Sequence, residues 1–240
     1  MKIALLGYGK MGKAIESIAV ERGHEILLKI NADNLDDLTQ ENLSIADVAI
    51  EFSTPKHVFS NIGISLNAGT PIVVGTTDWY DQQQAVYAQV KKFNGTFLAA
   101  SNFSVGVNVF FEINRRLAEL MVNQSSYTAK IEEIHHKEKL DSPSGTAITL
   151  AEEIVQQNSI YSAWENDPSE KKDTLEIVSY REPEVTGTHE ITYDSNIDRI
   201  SIKHEAKNRK GFALGAVLAA EFIQTKKGIF TMQDVLKINP

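Results

Sequence analysis

The sequence predicts an α/β protein with a Rossmann-type doubly wound parallel sheet, followed by a second α+β domain with a mixed or antiparallel sheet. Short apolar segments alternate with amphipathic helical segments over roughly the first 100 residues, which is typical of a parallel sheet covered by helices on both faces. A glycine-rich turn, GYGKMG, joins the first strand to the first helix. After Phe103 the pattern changes to strands of alternating polarity, as in antiparallel sheets.

The predicted elements of the first half follow one another with short connections. Strands are predicted at 2–6, 25–30, 47–52, 71–74 and 96–100, and helices at 10–22, 55–69 and 78–93. Gly23 is a plausible stop for the first helix, Pro55 begins the second, and Asp78 is expected to cap the third. Residues 33–41 are acidic and irregular, which predicts a surface loop.

The second half is expected to combine helices with a sheet. Helices are predicted at 107–122 and 144–157, and strands at 127–136, 174–181, 188–194 and 199–205. The last three strands alternate in polarity as antiparallel strands would, and the polar residues 161–172 predict a loop. The apolar helix predicted at 211–223 could pack back on the first half. We therefore expect a dinucleotide-binding domain at 1–103, completed by 210–240, and a second domain at 104–209.

Composition argues against several classes of protein. With 240 residues, 42% of them hydrophobic and 23% charged, the chain resembles an ordinary globular protein. A net charge of -8 disfavours nucleic acid as the main partner. No cysteine is available for disulfides or thiolate metal sites, and no apolar run approaches the roughly 20 residues of a membrane span. We expect a cytoplasmic protein without nucleic-acid or membrane partners.

The glycine-rich turn is a candidate dinucleotide site with the spacing G-x-G-x-x-G. In such turns the first glycine permits the tight turn, the second lets the backbone approach a pyrophosphate, and the third allows close helix packing. The helix start offers free N–H groups and a partial positive charge to phosphates. A chance glycine turn is the alternative, which the strand–glycine–helix context disfavours. The predicted cofactor contacts here are Gly7, Tyr8, Gly9, Lys10, Met11 and Gly12.

The end of the second predicted strand bears on the choice of nicotinamide cofactor. An acidic residue usually binds the adenosine ribose at this point, and Asn31 stands there instead. Its amide can still bond a ribose hydroxyl, and Asp33 could do so if the loop folds inward. Lys29 could attract a 2′-phosphate. The sequence therefore leaves both NADH and NADPH open.

Three further strand ends carry small polar residues that could line the nicotinamide part of the crevice. Ligands on open α/β sheets bind beyond the carboxyl ends of the strands. Ser, Thr and Gly also make ordinary turns, which is the alternative for each segment taken alone. The candidate residues are Phe52, Ser53 and Thr54, then Gly75, Thr76 and Thr77, then Ala100, Ser101, Asn102 and Phe103.

The segment EEIHHKEKLDSPSGTA, residues 132–147, concentrates proton-transfer and cationic side chains before a helix start. Strand geometry places His135 and His136 on opposite faces, so they are not expected to chelate a metal as a pair. The segment also lacks the H-E-x-x-H spacing, and no metal site is predicted. A solvated charge run is the simplest alternative.

The SPSGTA that ends this segment argues against a mere charge run. Pro143 presets the backbone, Ser144 is a good N-cap, and Gly145 with Thr146 exposes N–H groups in the first turn, which suits an anion. Lys139 and a histidine lie a few residues away. An amide nest for a carboxylate, a lysine and a histidine that carries a proton are what reduction of a small dianionic imine or enamine requires.

The string E-x-I-H-H-x-x-K-x-D-S-P-S-G-T-A resembles the signature of the dihydrodipicolinate reductase family, which acts in the diaminopimelate route to lysine. The resemblance extends over nearly the whole chain, through GYGKMG, FSTP, GTT, ASNFSVGVN at 100–108 and VTGTHE at 185–190. The histidine–lysine string is highly specific, whereas the other segments are weak when taken singly.

The resemblance implies that His135 is the general acid and that Lys139 assists as a proton donor. It also implies that the substrate carboxylates are held by His136, Ser144, Gly145 and Thr146, and that Arg209 lies near the substrate. NADH and/or NADPH would reduce a cyclic dicarboxylate, 4-hydroxy-tetrahydrodipicolinate, to tetrahydrodipicolinate with loss of water. The domain at 104–209 would bind the substrate and assemble a homotetramer.

Two other interpretations remain open at this point. Another dehydrogenase on the same scaffold, similar to aspartate or homoserine dehydrogenases, would keep the glycine turn but would have no reason for HHKEKLDSPSGT. A non-catalytic dinucleotide sensor would bind the cofactor and turn nothing over.

Overall fold

The computed structural model describes residues 1–166, 171, 173–208 and 210–238. The backbone divides into two units, of which the first comprises Met1–Val105 and Lys210–Pro240 and the second comprises Gly106–Arg209. The first unit therefore takes its chain from both ends of the sequence. Within the described ranges, none of the helices combines the length and the apolar character that a membrane crossing requires.

The first unit is built around a parallel sheet. Its strands are β1 (Lys2–Leu6), β2 (Glu25–Ile30), β3 (Val48–Glu51), β4 (Ile72–Val74), β5 (Thr96–Ala99) and β11 (Gly228–Phe230). Its helices are α1 (Lys10–Glu21), α2 (Gln40–Ser44), α3 (Pro55–Asn67), α4 (Gln83–Phe93), α7 (Lys210–Ile223) and α8 (Met232–Leu236). The strand order is β11-β5-β4-β3-β1-β2, with all pairs parallel.

Both faces of this sheet are buried by helices, as the nearly continuous apolar strands predict. Ile3 and Leu5 of β1 belong to one core with residues of α1 and α7, while Ala4 and Leu6 belong to a second core with residues of α3 and α4. Gly215 of α7 lies so close to the segment after β5 that a Cβ there would fall 1.7 Å from the carbonyl oxygen of Phe103. This packing fixes the carboxyl ends of the strands, where the candidate cofactor residues lie.

The second unit pairs two helices with a mixed sheet. The helices are α5 (Val105–Met121) and α6 (Gly145–Gln157), and the strands are β6 (Thr128–His135), β7 (Ala163–Asn166), β8 (Thr174–Arg181), β9 (Thr188–Asp194) and β10 (Arg199–Glu205). The order is β10-β9-β6-β8-β7. Ile131, Ile177 and Ile191 form one core with Leu150 and Ile154 of α6. The chemistry-bearing segment thus spans the central strand β6 and the start of α6.

The structure confirms the doubly wound parallel sheet and the second mixed sheet, but it corrects several details. The sequence predicts 174–181 as antiparallel, whereas β8 runs parallel to both β6 and β7. Part of the predicted loop at 161–172 forms the edge strand β7. Asp78 does not cap a helix: its φ is 61°, and α4 begins only at Gln83 after a 3₁₀ turn. The sequence did not predict the short elements α2, β11 and α8, because each has too few residues to show a hydrophobic period.

Candidate active site

The glycine turn between β1 and α1 leaves one glycine open and encloses the other two. Gly7 has φ +100°, and a Cβ there would lie 2.2 Å from the carbonyl oxygen of Phe52. At Gly12 a Cβ would lie 2.6 Å from the carbonyl oxygen of Gly7. At Gly9 a Cβ would meet no protein atom within 4 Å. Gly7 and Gly12 therefore serve close packing, while Gly9 keeps the space before the helix clear.

The start of α1 suits a pyrophosphate. Gly9 is the N-cap and supplies no capping side chain, and the first turn holds no acidic residue. Lys10 and Met11 occupy that turn. A cavity of about 320 Å³ opens here, lined by Gly7, Tyr8, Gly9, Ile30, Asn31, Ala32, Leu35, Phe52, Ser53, Thr54, His57 and Asn61. Its apolar walls, with backbone amides and a few side-chain polar groups, fit the adenosine part of a dinucleotide.

Near the expected ribose position, several polar side chains already bond neighbouring residues. Asn31 Oδ1 accepts a hydrogen bond from the Asp33 backbone N–H at 2.7 Å, while its side chain stays exposed. Asp33 is not among the cavity-lining residues. Lys29 Nζ pairs with Glu16 at 2.6 Å and lies 5.1 Å from the centre of the Tyr8 ring. The cavity therefore presents an amide at this position, and Lys29 is held by Glu16.

The other strand ends meet through aromatic packing. The Phe52 ring lies 5.6 Å from the Phe103 ring. A Cβ on Gly75 would lie only 2.1 Å from the Phe52 ring. Thr76 is buried, Ala100 and Asn102 are half-buried, and Thr77 and Ser101 are exposed. Sequence reasoning missed the buried Glu51, which accepts hydrogen bonds from the Ser53 hydroxyl and from Asn61 Nδ2 at 3.2 Å. Burial raises the pKa of Glu51.

A second cluster, in the second unit, brings together Glu133, His135, His189 and Ser144. Glu133 and His189 face each other across the antiparallel β6–β9 pair, and His135 follows two residues later on β6. The cluster is enclosed: Glu133 is fully buried and His135 is 8% exposed. Ser144 caps α6, accepting from the Ala147 backbone N–H at 3.2 Å, which confirms the predicted N-cap.

Short polar contacts connect this cluster. His135 Nε2 lies 3.4 Å from His189 Nε2 and 3.4 Å from Glu133 Oε2, and Ser144 Oγ lies 3.1 Å from His189 Nε2. Burial alone would raise the pKa of Glu133, but hydrogen bonds from His135, His189, Ser144 and Ser179 outweigh it, so that pKa lies well below its usual range. Burial lowers the pKa of His189, against the opposing effect of Glu133. The carboxylate is therefore ionised and His189 tends to stay neutral.

Three residues of this cluster are spaced closely enough to act as ligands of one metal ion. The ligand atoms of Glu133, His135 and His189 all fall within 4.8 Å of one another. Hydrogen bonds explain these contacts without an ion, because Glu133 also accepts from Ser179 and Ser144. We interpret the cluster as one that holds a proton.

The remaining predicted site residues of the second unit are Lys139, His136, Gly145, Thr146 and Arg209. Lys139 Nζ lies 2.7 Å from Asp141 Oδ2, and this ion pair, against the effect of partial burial, lowers the pKa of Asp141. His136 Nδ1 lies 3.0 Å from Glu138, outside the Glu133 cluster. A Cβ on Gly145 would meet nothing within 4 Å, so the helix start is open there. Thr146 follows in the first turn of α6, and Arg209 lies outside the described residues.

Besides Glu51, sequence reasoning missed three residues of these two sites. Glu133 was within the quoted segment, but nothing in its spacing distinguishes it from Glu132. His189 lies in VTGTHE, 54 residues beyond His135, and only the strand register brings them together. His57, in the first turn of α3, lines the cofactor cavity and lies 3.1 Å from Thr54 Oγ1. Its signal was its place just after a strand end, at a helix start.

Comparisons with known proteins give a consistent result for the whole chain. The family model described as "Dihydrodipicolinate reductase, N-terminus" matches residues 1–103, and "Dihydrodipicolinate reductase, C-terminus" matches residues 106–236. A 4-hydroxy-tetrahydrodipicolinate reductase from Christiangramia forsetii is 51% identical over 98% of both chains. One from Rickettsia rickettsii is 35% identical over 96% of both.

A solved structure shares the fold. Dipicolinate-bound dihydrodipicolinate reductase from Paenisporosarcina sp. TG-14 superposes with a TM-score of 0.76 at 22% identity, covering 98% of each chain.

Proposed function

Because the chain belongs to the dihydrodipicolinate reductase family, we propose that it reduces 4-hydroxy-tetrahydrodipicolinate to tetrahydrodipicolinate with NADH or NADPH, with loss of water, in the diaminopimelate route to lysine. The observation that carries this proposal is the enclosed cluster of Glu133, His135, His189 and Ser144 at the start of α6. It combines a proton source with an anion-binding helix start, and the reduction of a small unsaturated dicarboxylate requires both.

The helix start of α6 is proposed to hold a substrate carboxylate. The open side of Gly145, together with the N–H groups of the first turn at Gly145 and Thr146, offers donors and the positive end of the helix dipole. Ser144 stays buried, as cap and cluster member. His136 is proposed to contact the second carboxylate, and Arg209, outside the described residues, is proposed to lie near the substrate.

His135 is proposed as the general acid and Lys139 as a second proton donor. His135 is enclosed, so its proton is exchanged with bulk water less freely than that of an exposed histidine, and it stands beside the ionised Glu133. Lys139 is 22% exposed and paired with Asp141. In this arrangement a bound carboxylate would compete with Asp141 for the ammonium group, which brings Lys139 to the substrate.

The first unit is proposed to bind the nicotinamide cofactor, which supplies the hydride when bound. The open face of Gly9, the free start of α1 and the cavity of about 320 Å³ fit a dinucleotide. The contacts proposed are those predicted from the glycine turn, from Asn31, and from the strand ends at 52–54, 75–77 and 100–103. His57 joins them from α3.

We further propose that the enzyme works in the cytoplasm as a homotetramer assembled through the mixed sheet. On one face of this sheet, Ile134 of β6 is in register with Tyr180 of β8, which is 44% exposed. Lys130 and Glu132 share that face of β6 and form an ion pair at 2.9 Å. Apolar and paired polar groups together suit contact with a second copy. Light scattering during size-exclusion chromatography measures the mass and would contradict the proposal if it gave a monomer.

The reaction is tested by following NADH or NADPH absorbance while the substrate is generated from pyruvate and aspartate semialdehyde by the preceding synthase. Oxidation that depends on the synthase is expected. His135→Gln and Lys139→Ala should each lower kcat by about 10²–10⁴, while cofactor binding measured by fluorescence stays unchanged. Cofactor binding without oxidation would favour a sensor. Oxidation with aspartate semialdehyde alone would favour a homoserine dehydrogenase-like enzyme.

A further inference from the structure

The two carboxylate oxygens of Glu133 have different surroundings. Oε1 accepts from the Ser179 hydroxyl at 2.8 Å and from the Ser144 backbone N–H at 3.1 Å, with Arg181 further away at 3.5 Å. Oε2 accepts from the same Ser144 N–H at 3.2 Å and lies 3.4 Å from His135 Nε2 and 3.5 Å from His189 Nε2. The Ser144 N–H is thus shared by both oxygens, whereas Ser179 and Arg181 lie at Oε1 and the two imidazoles lie at Oε2.

An ionised carboxylate can only accept hydrogen bonds. Since Glu133 is fully buried and its pKa lies below the usual range, an imidazole that contacts Oε2 must direct an N–H toward it. His135 offers Nε2 on this side. Among the described residues, its Nδ1 has no hydrogen-bond partner.

The ring edge that carries Nδ1 is kept clear by a glycine. A Cβ at Gly187 would lie 2.9 Å from His135 Cε1 and 3.2 Å from Nδ1. Any other residue at this position would crowd the ring edge that faces away from Glu133. The ring therefore has a fixed side, at Nε2, and, at Nδ1, a side that a side chain at position 187 would crowd.

We propose that Glu133 is the positioning residue that sets the orientation and tautomer of His135, so that Nε2–H stays bonded to Glu133 and Nδ1 carries the proton that is transferred. The proposal rests on the proposed function. The Nδ1–H bond breaks, the proton passes to the substrate, and His135 is left neutral with its Nε2–H in place. Solvent water then returns a proton to Nδ1. This is the carboxylate–imidazole logic that holds the catalytic histidine of serine proteases in one tautomer.

His189 completes the arrangement as a neutral neighbour. Its Nε2 lies 3.1 Å from Ser144 Oγ, and burial lowers its pKa, so His189 stays neutral. The titratable groups in contact with His135 are Glu133 and His189. Around these partners lie further charged groups: Arg181 of β8 lies near Glu133, and in the loop before α6 Lys139, which pairs with Asp141, acts on His189.

Glu133→Gln is the sharpest test, because its two ends have different partners. The Arg181 guanidinium can only donate and lies 3.5 Å from Oε1, so the glutamine oxygen should take the place of Oε1 and the NH₂ group should face the imidazoles. His135 Nε2 must then accept, and the neutral tautomer inverts to Nδ1–H. Glu132→Gln is the matched control, since Glu132 lies on the opposite face of β6 and pairs with Lys130.

Histidine ¹⁵N NMR on the full chain reports the tautomer directly, with the His135 signals assigned by their loss in His135→Gln. We expect Nε2–H in the wild type and in Glu132→Gln, and Nδ1–H in Glu133→Gln. The Glu133→Gln variant should lose about 10²–10⁴ in kcat with unchanged cofactor affinity. The pH above which kcat/KM declines should fall, because the imidazolium no longer faces an anion.

A neutral Nδ1–H tautomer in the wild type would overturn the proposal without any variant of Glu133. Near-normal turnover of a folded Glu133→Gln would overturn it as well. A loss of turnover in Glu133→Gln with an unchanged His135 tautomer and pH profile would also overturn it, because that result indicates a structural role for Glu133. If the wild type fails to reduce the substrate at all, the proposed function fails, and the tautomer measurement still decides the positioning of His135.

Discussion

Replacing Glu153 by glutamine should stabilise the protein above neutral pH and have no effect in acid. Glu153 lies on α6, where Asn114 Nδ2 of α5 donates to its Oε2 at 2.9 Å. Burial, reinforced by Glu112, raises the pKa of Glu153 to about 7 from an ordinary 4.5, against the opposing effects of Asn114 and Arg115. The folded state therefore holds a proton on Glu153 that the unfolded chain has already released.

The sign and size follow from this difference. Below pH 4.5 Glu153 is protonated in both states and the stabilising contribution is fully present. Each pH unit from there to about 7 removes about 1.4 kcal/mol, so the total loss approaches about 3 kcal/mol. Glutamine cannot ionise, and it keeps an acceptor for Asn114 Nδ2. It also brings a donor near Asn114 Oδ1, which is buried without a partner among the described residues.

Chemical denaturation from pH 4 to 9 measures the effect. At pH 8 Glu153→Gln should be more stable than the wild type by about 3 kcal/mol, or about 6–12 °C in Tm for a chain of this size. The two proteins should converge near pH 4.5. Glu152→Gln is the control, because Glu152 is exposed on the same helix. Equal stability of Glu153→Gln and the wild type across the whole range would refute the assigned pKa and its cause.

Two further predictions concern the cofactor site. Gly9→Ala should fold normally, because its Cβ meets no protein atom within 4 Å. It should weaken NADH binding about tenfold or more, which corresponds to about 1.4 kcal/mol. Gly12→Ala should instead lose about 1–3 kcal/mol of stability, since its Cβ would lie 2.6 Å from a carbonyl oxygen. Melting curves and fluorescence titration separate the two, and equal behaviour would contradict the assignment. Asn31→Asp should lower the ratio of kcat/KM for NADPH to kcat/KM for NADH about tenfold, or about 1.4 kcal/mol, because the new carboxylate repels the 2′-phosphate. An unchanged ratio would mean that Asn31 does not face the ribose.

Local patterns in the sequence predicted the elements whose signals lie within one segment. GYGKMG predicted the turn between β1 and α1 because glycine spacing and strand–helix context are adjacent in the chain. The SPSGTA string predicted the start of α6 for the same reason, since an N-cap depends on neighbouring residues. The apolar runs of β1 to β5 predicted a sheet buried on both faces.

Non-local pairing set the limit of sequence reasoning. Glu133 meets His189 only through the β6–β9 register, and no local pattern encodes which residue of one strand faces which residue of another. The parallel direction of β8 likewise depends on the long connection from β6, and not on the alternation of its own residues. The edge strand β7 is short and polar, so its pairing with β8 overrides its composition.

The most direct test of the central claim follows the hydride itself. The enzyme would be given NADH or NADPH deuterated at the transferring C4 position, with the substrate generated in place by the preceding synthase, and the product analysed by mass spectrometry. The account predicts tetrahydrodipicolinate carrying one deuterium, formed in step with cofactor oxidation and strongly reduced in His135→Gln. Cofactor oxidation without deuterium in the product, or no product at all, would contradict it.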